Sequence, residues 1–206
     1  MKTFVFIFAR GGSKGLPRKN LLKLNGITLL EHSINIAKNL NFVDEIFVST
    51  EDEEISKITI KNDVRLIKRP IELASDKTPE WLCWKHAINF VYNEVGEFDY
   101  FLSLPTTAPL RAVKDIENCM KLLPKNFDLI LTVTKSRRNP WFNMVSCNKD
   151  KEAKLIISGD KRTINRRQDA PEAFDISTVA YAAKPSFILK NDNLWQGRIG
   201  AVEIPF

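Results

Sequence analysis

Seven short apolar runs alternate with amphipathic stretches along this chain, and that alternation constrains its fold more than any other feature. Thr3–Ala9 (TFVFIFA) is apolar at nearly every position, the pattern of a central parallel strand covered on both faces. Further strands are expected at Glu45–Ser49, Val64–Ile67, Tyr100–Leu104, Leu129–Thr134, Ile176–Ala183 and Ala201–Ile204. Helical spacing runs through Leu29–Leu40, with Leu30, Ile34 and Ala37 inward, and through Glu51–Lys61, with Ile55 and Ile58 inward. The strongest helical stretch is Glu80–Val95, where Trp81, Ile88, Val91 and Val95 share a face and Pro79 suits the start. Val113–Leu123 and Pro185–Lys190 complete the helices. Strand–helix alternation of this kind predicts an α/β domain with a mainly parallel sheet.

The rhythm breaks after Thr134. Residues 135–170 contain one clear apolar run, Leu155–Ile157, and no crossover helix, which predicts an insertion with its own job in a single domain of 206 residues. The net charge of +6 is concentrated there: ten Lys/Arg between Lys135 and Arg167 face only Asp150, Glu152 and Asp160, a local +7 that leaves the rest of the chain at −1. A local field suits an anionic ligand or an arm over a site as well as it suits nucleic acid. No zinc knuckle, helix-turn-helix or aromatic RNA-binding pattern accompanies it, so no nucleic-acid partner is expected.

A chain that is 44% hydrophobic and 27% charged is neither disordered nor collagen-like. No apolar run approaches the roughly 18–20 residues of a membrane-spanning helix, and Met1–Ala9 reads as a first strand, not a signal peptide. Three widely spaced cysteines, Cys83, Cys119 and Cys147, predict reduced thiols and a cytoplasmic home. With only His32 and His86 present, a histidine-based metal site is not expected.

The first strand runs into Ala9-Arg10-Gly11-Gly12-Ser13-Lys14-Gly15-Leu16-Pro17-Arg18-Lys19-Asn20. No Gly-Lys-Ser/Thr closes it, so it is not a Walker loop, and its glycines miss the dinucleotide fingerprint. Yet glycines allow close approach of backbone N–H groups to phosphate oxygens, and the carboxyl edge of a strand is where ligands bind in open α/β sheets. Arg10, Lys14, Arg18 and Lys19 bring four cations to that edge. The plainer reading is a solvated basic turn.

This opening, followed by Leu21-x-x-Leu24-x-Gly26, resembles the signature of the acylneuraminate cytidylyltransferases, the CMP-sialic acid synthetases. Further matches follow in order: Val48-Ser49-Thr50 with acids after it, Arg69-Pro70-x-Glu72-Leu73-Ala74-Ser75-Asp76, Pro105-Thr106-Thr107-Ala108-Pro109-Leu110-Arg111, and Arg166-Arg167-Gln168-Asp169-x-Pro171-Glu172. The resemblance spans essentially the whole chain. It implies a Rossmann-like three-layer nucleotidyltransferase fold. It also implies the reaction of CTP with a nonulosonic 2-keto sugar acid, giving a CMP-sugar and pyrophosphate with Mg²⁺ assistance. By position, Arg10, Gly11, Gly12, Ser13 and Lys14 would hold the triphosphate, Lys19 would be the catalytic cation, with Arg10 beside it, and Asn20 would orient the nucleotide. Arg69 would lie near the base. Arg111, Arg167 and Gln168 would serve the sugar acid, Arg167 from an arm that makes a homodimer and reaches the partner's site. A guanidinium suits a planar carboxylate because it offers two parallel hydrogen bonds. The plainer reading of Arg166-Arg167 is a solvated pair.

Four departures qualify the resemblance. Leu104 stands where the family usually has Gln, in a stretch one residue longer. Lys77-Thr78-Pro79-Glu80 replaces Thr-Ala-Ser-Ser, putting a carboxylate where a hydroxyl is expected near the base. Ser177-Thr178 replaces Asn-Gly. The family's metal-binding Asp-Ile-Asp follows a Val-Glu-Ile-Pro strand, whereas this sequence stops at Val202-Glu203-Ile204-Pro205-Phe206, so no metal ligand is assigned and the aspartates are expected beyond Phe206. These departures keep two rivals open: a non-catalytic nucleotide-binding paralogue, and a nucleotidyltransferase for another sugar or triphosphate. Trp81 and Trp84 are expected in the core, His32 and His86 as packed or surface histidines, and Trp141-Phe142 as interface anchors in the arm.

Overall fold

The computed structural model describes residues 1–158 and 164–205. Its elements in chain order are β1 (Thr3–Phe8), β2 (Lys23–Leu24), β3 (Ile27–Thr28), α1 (Leu29–Lys38), β4 (Glu45–Thr50), α2 (Glu53–Lys61), β5 (Arg65–Lys68) and α3 (Glu80–Glu94). There follow β6 (Tyr100–Ser103), α4 (Val113–Leu122), β7 (Leu129–Lys135), β8 (Val145–Cys147), β9 (Ala153–Leu155), β10 (Phe174–Ala183), α5 (Pro185–Lys190) and β11 (Ile199–Glu203). Two compact units emerge: Met1–Thr132 with Thr178–Val202, and Val133–Ser177 with the residues from Glu203 on.

A seven-stranded sheet has the order β11-β7-β10-β6-β1-β4-β5. β1 is central and parallel to both neighbours, with Phe6 opposite Phe47 on β4 and opposite Ser103 on β6. β10 runs antiparallel to β6, with Tyr181 opposite Ser103. Because successive side chains leave a strand on opposite faces, Phe4 and Phe6 stack with Phe47 and Phe98 on one side while Val5 and Ile7 are fully buried on the other. Both faces are therefore covered, as the apolar run predicts. α3 closes the phenylalanine side: Trp84 meets Phe8 and Phe101, Trp81 meets Phe187 of α5 edge-on, and both tryptophans are buried. They belong to the core, as expected. Burying aromatic side chains of this size contributes about 1.5–3 kcal/mol each.

Two local features differ from the sequence reading. Residues 23–28 form a β2–β3 hairpin closed by Asn25 and Gly26, both at positive φ (50° and 89°), the geometry of a two-residue type I′ turn. His32 secures it, its Nε2 lying 2.8 Å from the Leu24 carbonyl oxygen, so this histidine is a packing residue. The second helix begins at Glu53, not Glu51. Asp52 is its N-cap, accepting from the N–H groups of Glu54 and Ile55, and this releases Glu51 for another task.

In the second unit β8 and β9 pair antiparallel, Val145 opposite Leu155, around a turn in which the Asn148 carboxamide oxygen accepts from Asp150 and Glu152. Lys161 and Arg162 of the basic segment, and Phe206, lie outside the described residues.

Candidate active site

β1 delivers the glycine loop to the carboxyl edge of the sheet, where a cavity of about 500 Å³ opens in the first unit. Of the residues singled out from sequence, Arg10, Ser13, Lys14, Lys19, Asn20 and Arg69 line it. Gly11, Gly12 and Arg111 do not, and Arg167 and Gln168 belong to a separate cavity of about 400 Å³ in the second unit.

Each of the loop's cations has a different situation. Arg10 and Lys14 converge on one carboxylate, Asp76, at 2.7 and 2.6 Å, and together with its hydrogen bond from Lys14 they hold the Asp76 carboxyl below the usual carboxylate range. Arg18 turns away from the cavity. In a left-handed backbone conformation (φ 54°), it bridges Asp52 and Glu54, each at 2.7 Å, and is a clamp between the loop and α2. Lys19 begins a single 3₁₀ turn, Lys19–Leu21, and among the described residues forms no ion pair with a carboxylate. It is the loop cation left for a ligand.

The loop is held by Glu51 and Thr106, to which the sequence reading gave no role, together with Asn20, Arg69 and Arg111, which it singled out. Glu51 accepts the Gly11 N–H at 2.8 Å with one carboxylate oxygen and the Arg69 guanidinium at 2.9 Å with the other. A Cβ on Gly11 would collide with the Asp52 carboxylate, so the first glycine is needed for close approach of α2's cap. The buried Asn20 donates to the Arg10 carbonyl oxygen at 2.8 Å and accepts from the Thr106 hydroxyl at 2.6 Å. Arg111 is buried as well. It donates to the Pro105 carbonyl oxygen, and burial lowers its guanidinium to about 10, so it braces the Pro105–Thr106 turn that steadies Asn20. The acids after Val48-Ser49-Thr50 and the two threonines of the Pro-Thr-Thr stretch carried this signal in sequence.

Away from the cations the wall changes character. Phe8, Leu73 and Cys83 are among its apolar members, and Glu80, Tyr181 and the Arg69 guanidinium share the cavity with them. Cys83 donates to the Leu73 carbonyl oxygen at 3.4 Å and accepts from Arg69 at 3.5 Å. Glu80 is open to the cavity yet surrounded by protein. Burial raises its carboxyl pKa, against the pull of the Trp84 N–H (3.2 Å) and the Arg69 charge. Burial also raises the Tyr181 phenol, with Glu80 adding to the effect. His86 is pushed down by burial and then by Arg69, which keeps it neutral and unsuited to a cation's role. Leu104, the first departure, is fully buried in the core. Thr178, the third, lines the cavity and pairs with Thr107 at 3.0 Å.

Among the described residues no group of three or more His, Cys, Asp or Glu side chains could hold a metal ion, and Asp76 is engaged by two cations. The carboxylates that line the cavity are Asp76 and Glu80, and no step is derived through Mg²⁺.

In the second unit Arg167 donates to the Ser136 carbonyl oxygen at 3.2 Å, and Lys135 pairs with Glu172 at 3.0 Å. Lys135, Arg138, Arg167 and Gln168 line the cavity there, which is basic in character.

A mainly parallel sheet with a cation-bearing glycine loop at its carboxyl edge defines a nucleotidyltransferase of Rossmann-like α/β fold. Residues 4–179 match the family model described as cytidylyltransferase, and the chain belongs to that family. It is 32% identical to post-translational flagellin modification protein B of Campylobacter coli, over 94% of this chain and 82% of that one. It is 29% identical to CMP-N,N'-diacetyllegionaminic acid synthase of Campylobacter jejuni subsp. jejuni, with the same coverage. The fold is shared with CMP:2-keto-3-deoxy-manno-octonic acid synthetase, solved in complex with CTP (TM-score 0.72, 16% identity, 99% of this chain and 90% of that one).

Proposed function

We propose that this cytidylyltransferase joins CTP to a nonulosonic, sialic-acid-like 2-keto sugar acid. The anomeric hydroxyl attacks the α-phosphorus, the bond to the β-phosphate oxygen breaks, and pyrophosphate leaves. Little covalent chemistry falls to the side chains, whose work is positioning and neutralising charge on phosphoryl oxygens. Arg10, Ser13 and Lys14 hold the triphosphate, and Lys19 faces the α-phosphate where negative charge develops. The observation that carries this reading is the cavity itself, in which Arg10, Ser13, Lys14 and the unpaired Lys19 stand together at the carboxyl edge of β1.

Support for the sugar acid comes from the relatives: one is named a legionaminic acid synthase, and another, from Campylobacter jejuni, a pseudaminic acid cytidylyltransferase. In this reading residues 135–170 form a dimerisation arm, and Arg167 with Gln168 meets the sugar carboxylate in the partner's site. The exposed apolar side chains Val145, Leu155, Ile156, Ile157, Phe174 and Ile176 suit a surface covered by a second copy. The enzyme is assigned to the cytoplasm, where its reduced cysteines belong, and no helix among the described residues is long and apolar enough to cross a membrane.

The test is pyrophosphate release with each of CTP, UTP, GTP and ATP, in the presence of Mg²⁺, against legionaminic, pseudaminic and N-acetylneuraminic acids. Turnover with CTP and one sugar acid supports the reading and names the substrate. Nucleotide binding without turnover on any pair would make the protein a non-catalytic paralogue instead.

A further inference from the structure

We propose that Glu80 reads the base: its carboxylate accepts the exocyclic amine of cytosine and so selects CTP over UTP. The inference rests on the CTP reading above and adds to it the residue that discriminates between nucleotides.

Glu80 and Cys83 are three residues apart on the first turns of α3, on one face of the helix, and both line the cavity. Cys83 donates to Leu73 and accepts from Arg69, so this end of the cavity is a slot lined by the apolar Leu73, one carboxylate and the Arg69 guanidinium. Arg10 and Lys14 are gathered on Asp76. A flat, weakly polar ring bearing one N–H donor complements such a slot. A triphosphate does not, because a carboxylate repels it.

The Glu80 carboxylate is held by one hydrogen bond and the nearby Arg69 charge, with no ion pair among the described residues. Trp84 donates to one of its oxygens at 3.2 Å and thereby orients the group. Arg69, whose charge reaches Glu80, is already bridged to Glu51 at 2.9 Å, and among the described residues no cation forms an ion pair with Glu80. Glu80 is exposed toward the cavity, so a ligand donor there takes the place of water on its carboxylate. Of the neutral donors that CTP brings, the exocyclic amine is the one that UTP lacks. Cytosine presents an amine that carboxylates accept, while uracil presents a carbonyl oxygen at the same place and would set two acceptors against each other.

The experiment uses the full chain with CTP, UTP and the triphosphate of 2-pyrimidinone riboside, which carries hydrogen in place of the amine and adds no bulk. Wild type should favour CTP over both others by about ten- to hundredfold in kcat/KM. Glu80→Gln, whose amide offers a donor as well as an acceptor, should bring CTP and UTP within a few-fold of each other, and Glu80→Ala should erase the preference for CTP over the pyrimidinone. If wild type treats CTP and the pyrimidinone alike, or if both variants keep the CTP preference and change only the KM of the sugar acid, the assignment is overturned. Should wild type release no pyrophosphate, the proposed reaction fails by itself. The same three nucleotides are then compared by equilibrium binding, where equal affinities would overturn the role of Glu80.

Discussion

The Arg69 guanidinium and the Glu51 carboxylate form a nearly buried ion pair at 2.9 Å, and the second oxygen of Glu51 takes the Gly11 N–H. One side chain thus fixes both the glycine loop and the arginine that reaches the cavity. Glu51→Ala leaves the Arg69 charge buried without its partner and should lower unfolding stability by about 3–5 kcal/mol in urea titrations. Glu51→Gln, which still accepts from Gly11, should cost less than half of that. Equal losses in the two variants would mean that the charge is not what matters.

Asp76 occupies the two cations best placed for phosphate oxygens, Arg10 and Lys14. An incoming triphosphate has to displace it. Asp76→Asn should therefore tighten CTP binding by roughly two- to fivefold at low ionic strength, by calorimetry, with the gain shrinking as salt is added. Weaker binding in the variant would instead place Asp76 among the groups that hold the nucleotide.

Gly11→Ala tests the approach of α2's cap to the loop. The added methyl meets the Asp52 carboxylate, which receives two N–H groups of α2 and the Arg18 guanidinium. A loss of about 1–3 kcal/mol is expected, measured by thermal unfolding. Gly12→Ala, where a Cβ would meet nothing, should be close to neutral.

Much of the fold was legible because burial on two faces and burial on one face leave different periods in a sequence. The central β1, the start of α3 after Pro79 and the buried Trp81 and Trp84 all follow from spacing alone. The β2–β3 hairpin was missed: its one signal is the Asn25-Gly26 pair between Leu24 and Ile27, and a strand of two residues has no period to read. The pairing of charges was not legible. Nothing local says that Arg18 goes to Asp52 and Glu54, that Arg10 goes to Asp76, or that Glu51 takes Gly11 and Arg69. Those partners lie tens of residues apart and are chosen by the sheet order. For the same reason Arg111, read as a substrate residue, is found bracing the Pro105–Thr106 turn.

Among the described residues Lys19 is the loop cation without a carboxylate partner, and it lines the cavity. Lys19→Ala should lower kcat by about 10²–10³ while CTP binding changes far less, because the stabilised charge develops in the transition state. Steady-state kinetics set beside equilibrium binding separates the two. A variant with normal turnover would remove Lys19 from the reaction.

The pH dependence of base selection follows from Glu80. Burial raises its pKa, while the Trp84 N–H and the Arg69 charge work against that rise. Tyr181, which shares that wall, is itself raised and so stays neutral around pH 7. As a carboxylate Glu80 accepts the cytosine amine; once protonated it is a donor and can face the uracil oxygen. The CTP-to-UTP ratio of kcat/KM should therefore be highest above the Glu80 pKa and fall as pH drops through it, and Glu80→Gln should flatten the curve. The same shift affects stability with a definite sign. The folded state holds the proton more tightly than the unfolded chain, so the penalty for the charged form is absent in acid and appears as pH rises through the folded pKa. Glu80→Gln should accordingly melt at or above the wild-type temperature at neutral pH and lose that advantage in acid, which differential scanning calorimetry across the two conditions would measure.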